Sequence, residues 1–169
     1  MTAHLDIYSS SQQFMAPMIR HKVWIWIVQA TLIFTGCSMV QKNDPSVLIA
    51  TDKAFSKMSV DKGLNAAFIY YADDRVVKVR DGNFPLIGKD SMIKIYLCRP
   101  DSGMILKWKP VKAEISQSDD LGYTFGEWEL YLKARDTTMY GNYISIWKKQ
   151  PDGTWKYVLD AGSNTPKPE

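Results

Sequence analysis

The change in hydrophobic period along the chain is the feature that most restricts its fold. Within residues 45–58 and 62–71, apolar residues recur every three to four positions, as they do on the buried face of a helix. From residue 104 the period becomes two, which is typical of strands with one buried face. Helices first and strands afterwards predict an α+β domain, with helices packed on one face of an antiparallel sheet.

Three helices and a series of strands follow from this pattern. The helices are predicted at Pro45–Met58, Lys62–Tyr71 and Ser91–Leu97, the second capped by Ser59 or Asp61. A short strand at Val76–Val79 precedes a turn at Asp81-Gly82-Asn83. The later strands are predicted at Ile105–Lys109, Val111–Ser116, Tyr123–Leu132, Tyr140–Lys149 and Trp155–Leu159, with a break at Pro110 and a hairpin turn at Asp152-Gly153.

An export segment precedes this domain. Arg20 and Lys22 stand before an apolar run, Val23–Phe34, whose length fits the roughly 7–15 residues of a secretory signal better than the ~20 that span a bilayer. A Thr-Gly pair then precedes Cys37. This order resembles the lipobox of bacterial lipoproteins, in which a peptidase cleaves before a cysteine that receives a lipid anchor. Phe34 stands where that family usually has Leu.

The expected product is a lipoprotein of the bacterial cell envelope, facing the periplasm and anchored to the membrane through Cys37. Residues 1–36 would be the signal peptide, residues 37–45 the lipidated end with a polar tether, and residues 163–169 a flexible tail. Residues 1–17 are polar, so translation is expected to start at Met15 or Met18 and this stretch to be a start-site artefact. A plain signal anchor, with Cys37 present by chance, is the alternative.

Loss of the first 36 residues would remove both histidines, His4 and His21. Ser-His-Asp and Cys-His nucleophiles are then excluded, and the commonest zinc ligand is removed. We predict no metal site and no cofactor. Cys98, the other cysteine beside Cys37, is expected to be a small buried residue. The net charge is only +3, with basic residues scattered among acidic ones, so nucleic-acid binding is not expected.

Several short motifs, in a fixed order, resemble those of a known superfamily. They are ADD at 72–74, PLIG at 85–88, DLGYTFG at 120–126, YISIW at 143–147, DGTWK at 152–156 and LDAG at 159–162. In this order they resemble the SnoaL-like, ketosteroid-isomerase-like branch of the nuclear transport factor two-like superfamily. The resemblance covers about residues 46–162.

The resemblance implies a cone, in which a curved antiparallel sheet wraps around about three N-terminal helices and opens at one end to a pocket. Members are often dimers, and their activities include those of isomerases, cyclases and dehydratases. A cone with an apolar interior suits a small hydrophobic ligand. The predicted pocket residues are Trp108, Phe125, Trp128, Tyr140, Asn142 and Trp147.

Catalysis in ketosteroid-isomerase relatives uses a carboxylate base together with a tyrosine or acid that stabilises an enolate. Asp160, at the end of the last strand, is the candidate base, with Tyr123 as its partner. The alternative for Asp160 is a strand-end residue that accepts hydrogen bonds from the following backbone. Among the other carboxylates, Glu127 and Glu129 are expected to point outward, and Asp73-Asp74 to form a turn.

Three functional hypotheses remain. The isomerase catalytic pair cannot be matched residue by residue, so the first is an envelope-anchored domain that binds a small hydrophobic molecule without catalysis. The second is an isomerase-, dehydratase- or cyclase-type enzyme that uses Asp160 and Tyr123. The third is an interaction subunit, because the strand Tyr140–Lys149 is apolar on both faces and its second face could bind a partner or form a homodimer.

Overall fold

The computed structural model describes residues 43–168, where two helices and two strands are followed by a third helix and four strands. Its three α-helices are α1 (Ser46–Lys62), α2 (Leu64–Tyr71) and α3 (Lys89–Leu97). Its six strands are β1 (Ala72–Arg80), β2 (Asn83–Ile87), β3 (Met104–Ile115), β4 (Leu121–Leu132), β5 (Thr137–Lys149) and β6 (Trp155–Thr165).

The six strands form one sheet in the order β2-β1-β6-β5-β4-β3. The pairing of β1 with β6 is parallel, and the other four pairings are antiparallel. The edge strands β2 and β3 do not pair with each other, so the sheet is curved but unclosed. This arrangement confirms the predicted α+β class, with the helices and a curved sheet in one domain.

Several strands differ from the prediction in their extent, and β1 begins at Ala72 and not at Val76. β3 continues through Pro110, and β2, which contains Pro85, was not predicted as a strand. Both prolines lie on edge strands, where a missing N–H group removes no bond from the interior of the sheet. β6 extends to Thr165 and pairs there with Tyr140, so the polar tail is shorter than expected.

The length of α1 also exceeds the prediction, because Gly63 and not Met58 ends it. Gly63 adopts a φ of +93°, which favours glycine and separates α1 from α2. Ser59 does not cap the second helix: its hydroxyl donates to the carbonyl of Leu106 in β3 (2.9 Å). Ser56 accepts a hydrogen bond from the backbone N–H of Trp108 (2.8 Å), so two buried serines of α1 satisfy backbone groups of the edge strand β3.

Phe55 of α1 lies at the centre of the aromatic core. Its ring centroid is 4.5 Å from that of Trp108, 4.8 Å from that of Phe68 and 5.6 Å from that of Tyr157. Such distances allow edge-to-face and offset contacts, which favour a fixed arrangement of the rings. The core therefore joins both N-terminal helices to the sheet.

The predicted export segment and Cys37 lie outside the described residues. Within residues 43–168, no helix has both the length and the hydrophobicity required to cross a bilayer.

Candidate functional site

A cavity of about 350 Å³ lies between α1, α2 and the helix-facing side of the sheet. Small-molecule sites usually measure about 300–1,000 Å³, so its volume suits a small ligand. Exposed polar residues at the ends of β1 and β6, among them Asp81 and Asn164, mark its mouth. The wall further in is formed by Phe55, Phe68, Leu106, Trp108, Trp128, Leu130 and Tyr143, with a polar corner at Lys78, Ser145 and Asp160.

Glycines in the sheet make room for the aromatic rings of this wall. A Cβ atom on Gly141 would lie 2.2 Å from Cζ2 of Trp128, and one on Gly162 would lie 3.3 Å from Nε1 of the same indole. The indole also donates to the carbonyl of Asn142 (3.0 Å), which fixes its orientation. On Gly126, a Cβ atom would lie 2.7 Å from Cε1 of Tyr143. The absence of a side chain at these glycines therefore leaves the space that the rings of Trp128 and Tyr143 occupy in the cavity wall.

A register shift in β6 turns Asp160 into the cavity wall. Trp147 pairs with Tyr157 but Ile146 pairs with Leu159, so Val158 is an extra residue. The side chains of Trp155 and Tyr157 are buried on the helix-facing side, and without the shift strict alternation would place Asp160 on the other side.

Two side chains hold the Asp160 carboxylate in place. Its Oδ2 atom forms an ion pair with the Lys78 ammonium group, and its Oδ1 atom accepts a hydrogen bond from Ser145 (2.7 Å). The side chains of Lys78 and Asp160 are only 16% and 10% exposed. The ammonium group also lies 3.9 Å from the centroid of the Phe68 ring. The positive charge of Lys78 and the negative charge of Asp160 therefore balance each other at this polar corner.

Behind the cavity wall lies a second carboxyl group, that of Asp52, which is fully buried. It accepts hydrogen bonds from the Tyr143 hydroxyl (2.6 Å) and from the indole N–H of Trp108 (2.7 Å). Both donors also line the cavity. Thr124 stands on its other side and accepts a hydrogen bond from the indole N–H of Trp147 (2.9 Å).

Burial raises the pKa of Asp52 above its ordinary value of 3.8, although the hydrogen bonds from Tyr143, Trp108 and Thr124 act in the opposite direction. Within residues 43–168, no lysine or arginine forms an ion pair with it. Burial also raises the pKa of Tyr143, and the negative charge of Asp52 adds to this effect. Tyr143 therefore keeps its proton at neutral pH.

Sequence reasoning missed Asp52, although a signal was present. The buried residues of α1 include Leu48, Asp52, Phe55 and Ser59, which follow each other at spacings of four, three and four. An aspartate in the middle of such a buried stripe destabilises the core unless other buried groups form hydrogen bonds or an ion pair with it. The sequence prediction considered the apolar residues of this helix and did not name Asp52.

The predicted pocket residues occupy four different environments. Trp108 and Trp128 line the cavity, whereas Trp147 is fully buried in the core and is not among the lining residues. Tyr140 and Asn142 lie beside a separate depression near the end of β6, which the two cavity tryptophans also border. Phe125 is 39% exposed on the other face of β4, the face on which the predicted homodimer contact would form.

The predicted catalytic pair is not brought together. Asp160 lines the cavity, but Tyr123 is absent from its lining and pairs in register with Glu114. The Tyr123 hydroxyl contacts the side chains of Glu114 and Lys112 instead. Tyr143 is the tyrosine whose side chain shares the cavity with Asp160.

Other candidate groups lie outside the cavity. Glu129 forms an ion pair with Lys107 (2.9 Å), and Glu127 is exposed, in agreement with their predicted outward orientation. Asp73 and Asp74 lie in β1 and not in the predicted turn, because the strand begins directly after α2 at Ala72. The Asp73 carboxylate accepts a hydrogen bond from the backbone N–H of Arg75 (2.9 Å). The prediction that Cys98 is buried was wrong: the residue is exposed at the C-cap position of α3.

No group of three or more His, Cys, Asp or Glu side chains in the described part of the chain is arranged to hold a metal ion.

Comparison with known proteins identifies the fold. No protein-family model and no curated protein matches the chain. A solved ketosteroid isomerase-like protein from Erwinia carotovora atroseptica matches 74% of this chain and 99% of its own, with a TM-score of 0.60 and 17% identity. The chain has a cystatin-like fold. A nuclear transport factor two-like protein with a cystatin-like fold, from Novosphingobium aromaticivorans, covers 89% of this chain and 93% of its own (TM-score 0.59, 9% identity).

A hexachlorocyclohexane dehydrochlorinase shares the same fold, with a TM-score of 0.53, 15% identity and coverage of 71% of this chain and 85% of its own. At these identities the likeness concerns the fold alone, and the function must be argued from the site.

Proposed function

We propose that the cavity binds a small, mainly apolar molecule that carries one neutral polar group. The observation that supports this proposal is the composition of the wall. Aromatic and aliphatic side chains form most of it, and its polar groups converge at the single corner of Lys78, Ser145 and Asp160. An apolar cavity with few convergent polar groups is the usual design of a small-molecule site.

The charges around the cavity favour a neutral ligand. Lys78 is already paired with Asp160, and Asp81 adds a carboxylate at the mouth. An anionic head group would have to compete with Asp160 for Lys78 and would be repelled by Asp81. A neutral carbonyl or hydroxyl oxygen can accept from a remaining N–H of the Lys78 ammonium group, which has three in all.

Isothermal titration calorimetry with two ligands of equal size tests this proposal. We expect saturable binding of 2-acetylnaphthalene, a neutral ketone, and at least tenfold weaker binding of 2-naphthoate. If neither ligand bound, the binding function would be refuted. If 2-naphthoate bound more tightly, the neutral character of the ligand would be refuted and the cavity would still be a binding site.

A pair of variants on neighbouring positions of β4 locates the binding. Leu130→Trp should fill part of the cavity and abolish binding of the ketone, because Leu130 lines it. Tyr131→Trp is the matched control: Tyr131 is not among the lining residues, and its hydroxyl donates to Asp136 (3.0 Å). Equal binding by both variants would place the ligand elsewhere.

A second candidate is an isomerase- or dehydratase-type enzyme acting in the same cavity. The observation in its favour is that a carboxylate, Asp160, and a tyrosine, Tyr143, line one apolar cavity. A carboxylate base and a hydrogen-bond donor toward the developing oxyanion are what such proton transfers require. Turnover of a β,γ-unsaturated ketone that is lost in Asp160→Asn would support this function, and turnover that survives in the variant would exclude Asp160 as the base.

We also propose that Cys37 carries the lipid anchor of an envelope lipoprotein. The support is the sequence alone, where basic residues, an apolar run and a Thr-Gly pair precede Cys37. Radiolabelled palmitate should enter the wild-type protein and not the Cys37→Ala variant. Equal labelling of the two proteins would contradict the anchor.

A further inference from the structure

Another cavity, of about 430 Å³, has a lining in which half of the residues are basic. It lies where the end of α2 and the start of β1 meet the hairpin between β5 and β6. Its lining consists of Ala72, Asp73, Asp74, Arg75, Lys89, Lys148, Gln150 and Lys156. Four of these residues are basic and two are acidic, and none of them lines the apolar cavity described above.

The register of the sheet places two of the lysines against each other. Lys148 of β5 and Lys156 of β6 are direct cross-strand partners. Like charges at directly opposite positions destabilise a sheet. Partial burial lowers the pKa of Lys156, and the charge of Lys89 lowers it further. The basic side chains are therefore close enough to affect one another.

Carboxylates compensate this charge only in part. Within residues 43–168, none of the four basic side chains forms an ion pair within 4.0 Å of a carboxylate. Burial acts to raise the pKa of Asp73, but its hydrogen bonds with the Arg75 backbone and with Gln150, together with the charges of Lys148 and Arg75, lower this pKa overall. The Asp73 carboxylate accepts these hydrogen bonds from the backbone N–H of Arg75 (2.9 Å) and the side chain of Gln150 (3.1 Å).

Helix capping explains two of the lysines but not the whole group. Lys156 donates to the carbonyl of Tyr70 (2.7 Å) and Lys89 to that of Ala72 (3.2 Å), at the C-terminal end of α2 where cations are favoured. Each ammonium group still has two further N–H donors. Lys148 and Arg75 make no such contact with the end of α2 in the described chain, yet they line the same cavity.

We propose that this basic cavity binds a small multivalent anion of the phosphate class. Such an anion accepts several hydrogen bonds at once, so it can bridge ammonium groups that otherwise repel one another. The site is independent of the apolar cavity and of its proposed ligand, because the two share no residue.

Calorimetric titration of the full chain with inorganic pyrophosphate, at constant ionic strength, tests the proposal. We expect saturable binding that weakens about tenfold in Lys148→Gln, the loss expected for one charge-assisted hydrogen bond. Lys148→Gln is the cleanest variant, because the contacts of Lys89 and Lys156 with the end of α2 remain. Lys53→Gln is the control, since it removes the same charge from an exposed position on α1. Absence of saturable binding, or an equal loss in both variants, would overturn the proposal.

Two further measurements distinguish an anion site from a purely structural role and from a membrane-binding surface. Pyrophosphate should raise the melting temperature of the wild-type protein and raise it less in Lys156→Gln. A purely structural role for Lys156 predicts a lower melting temperature with no dependence on the anion, which would count against the site. Binding to phosphatidylglycerol vesicles that requires Lys148, without any binding of pyrophosphate, would assign the cluster to a membrane surface and also overturn the proposal.

Discussion

Replacing the buried carboxyl group of Asp52 by an amide should change how the stability of the domain depends on pH. Asp52 is fully buried and accepts hydrogen bonds from Tyr143 and Trp108. Asp52→Asn keeps the size of the side chain and one acceptor oxygen, which can serve the Trp108 indole while the amide NH2 group faces the Tyr143 hydroxyl, and it removes the titration. A changed hydrogen bond shifts the stability by the same amount at every pH, so the pH dependence of the difference reports the proton alone.

The direction in which the stability changes with pH follows from the raised pKa of Asp52, which burial moves above 3.8 in the folded state. Between the unfolded and the folded pKa, the folded protein holds a proton that the unfolded chain has released. The stability from this group is fully present below the unfolded pKa, falls as the pH rises through that window, and levels off above the folded pKa. Within the window the slope approaches about 1.4 kcal/mol per pH unit.

Urea unfolding of both proteins between pH 4 and pH 8 measures this difference. The free energy of unfolding of Asp52→Asn should rise relative to that of the wild type as the pH increases. Carboxylates with a lowered pKa, such as Asp73, Asp120 and Asp152, give the opposite trend in both proteins and cancel in the difference. Asp74→Asn, at an exposed position, is the control. A difference that does not vary with pH, or that falls as pH rises, would show that the hydrogen bonds outweigh burial and would refute the reasoning.

Three further substitutions have defined outcomes in urea unfolding. Gly141→Ala should lower the free energy of unfolding by about 1–3 kcal/mol, because the new Cβ atom would lie 2.2 Å from the Trp128 ring; unchanged stability would contradict the close approach. Lys78→Met should cost about 3–5 kcal/mol, because Asp160 would stay buried without its cation, and a loss below about 1 kcal/mol would argue against a buried pair. Ser59→Ala should cost about 1 kcal/mol through the loss of its bond to Leu106, and a more stable variant would contradict that role.

Much of the fold could be predicted from the period of the sequence. The long strands β4 and β5 and the helix α2 lie close to their predicted bounds, because each carries one unbroken pattern. β2 could not be predicted in this way, because Pro85 lies inside it and its short sequence has no clear period. The strand is recognised only by its antiparallel pairing with β1. Strand parity alone groups Trp128 with Leu130 on one face of β4 and Tyr123 with Phe125 on the other, and the structure shows that the first group lines the cavity.

The candidate site was harder to predict than the fold, because register shifts within the strands determine which side chains face the cavity. Val158 and Val111 each add one residue to a strand and reverse the alternation that follows, so counting from Trp155 places Asp160 on the wrong face. The polar groups of the site are also far apart in sequence. Asp52 and Tyr143 are separated by 91 positions, and only the packing of α1 against the sheet shows that they are partners.

The most direct measurement of the central claim is the movement of assigned indole N–H signals in a 1H–15N NMR titration with 2-acetylnaphthalene. The signals of Trp108 and Trp128 should shift saturably, because both side chains line the cavity. The signal of Trp147, whose indole N–H is bonded to Thr124 in the core, should stay in place. Uniform small shifts of all indoles, or no shift at Trp108 and Trp128, would contradict a ligand site inside the domain.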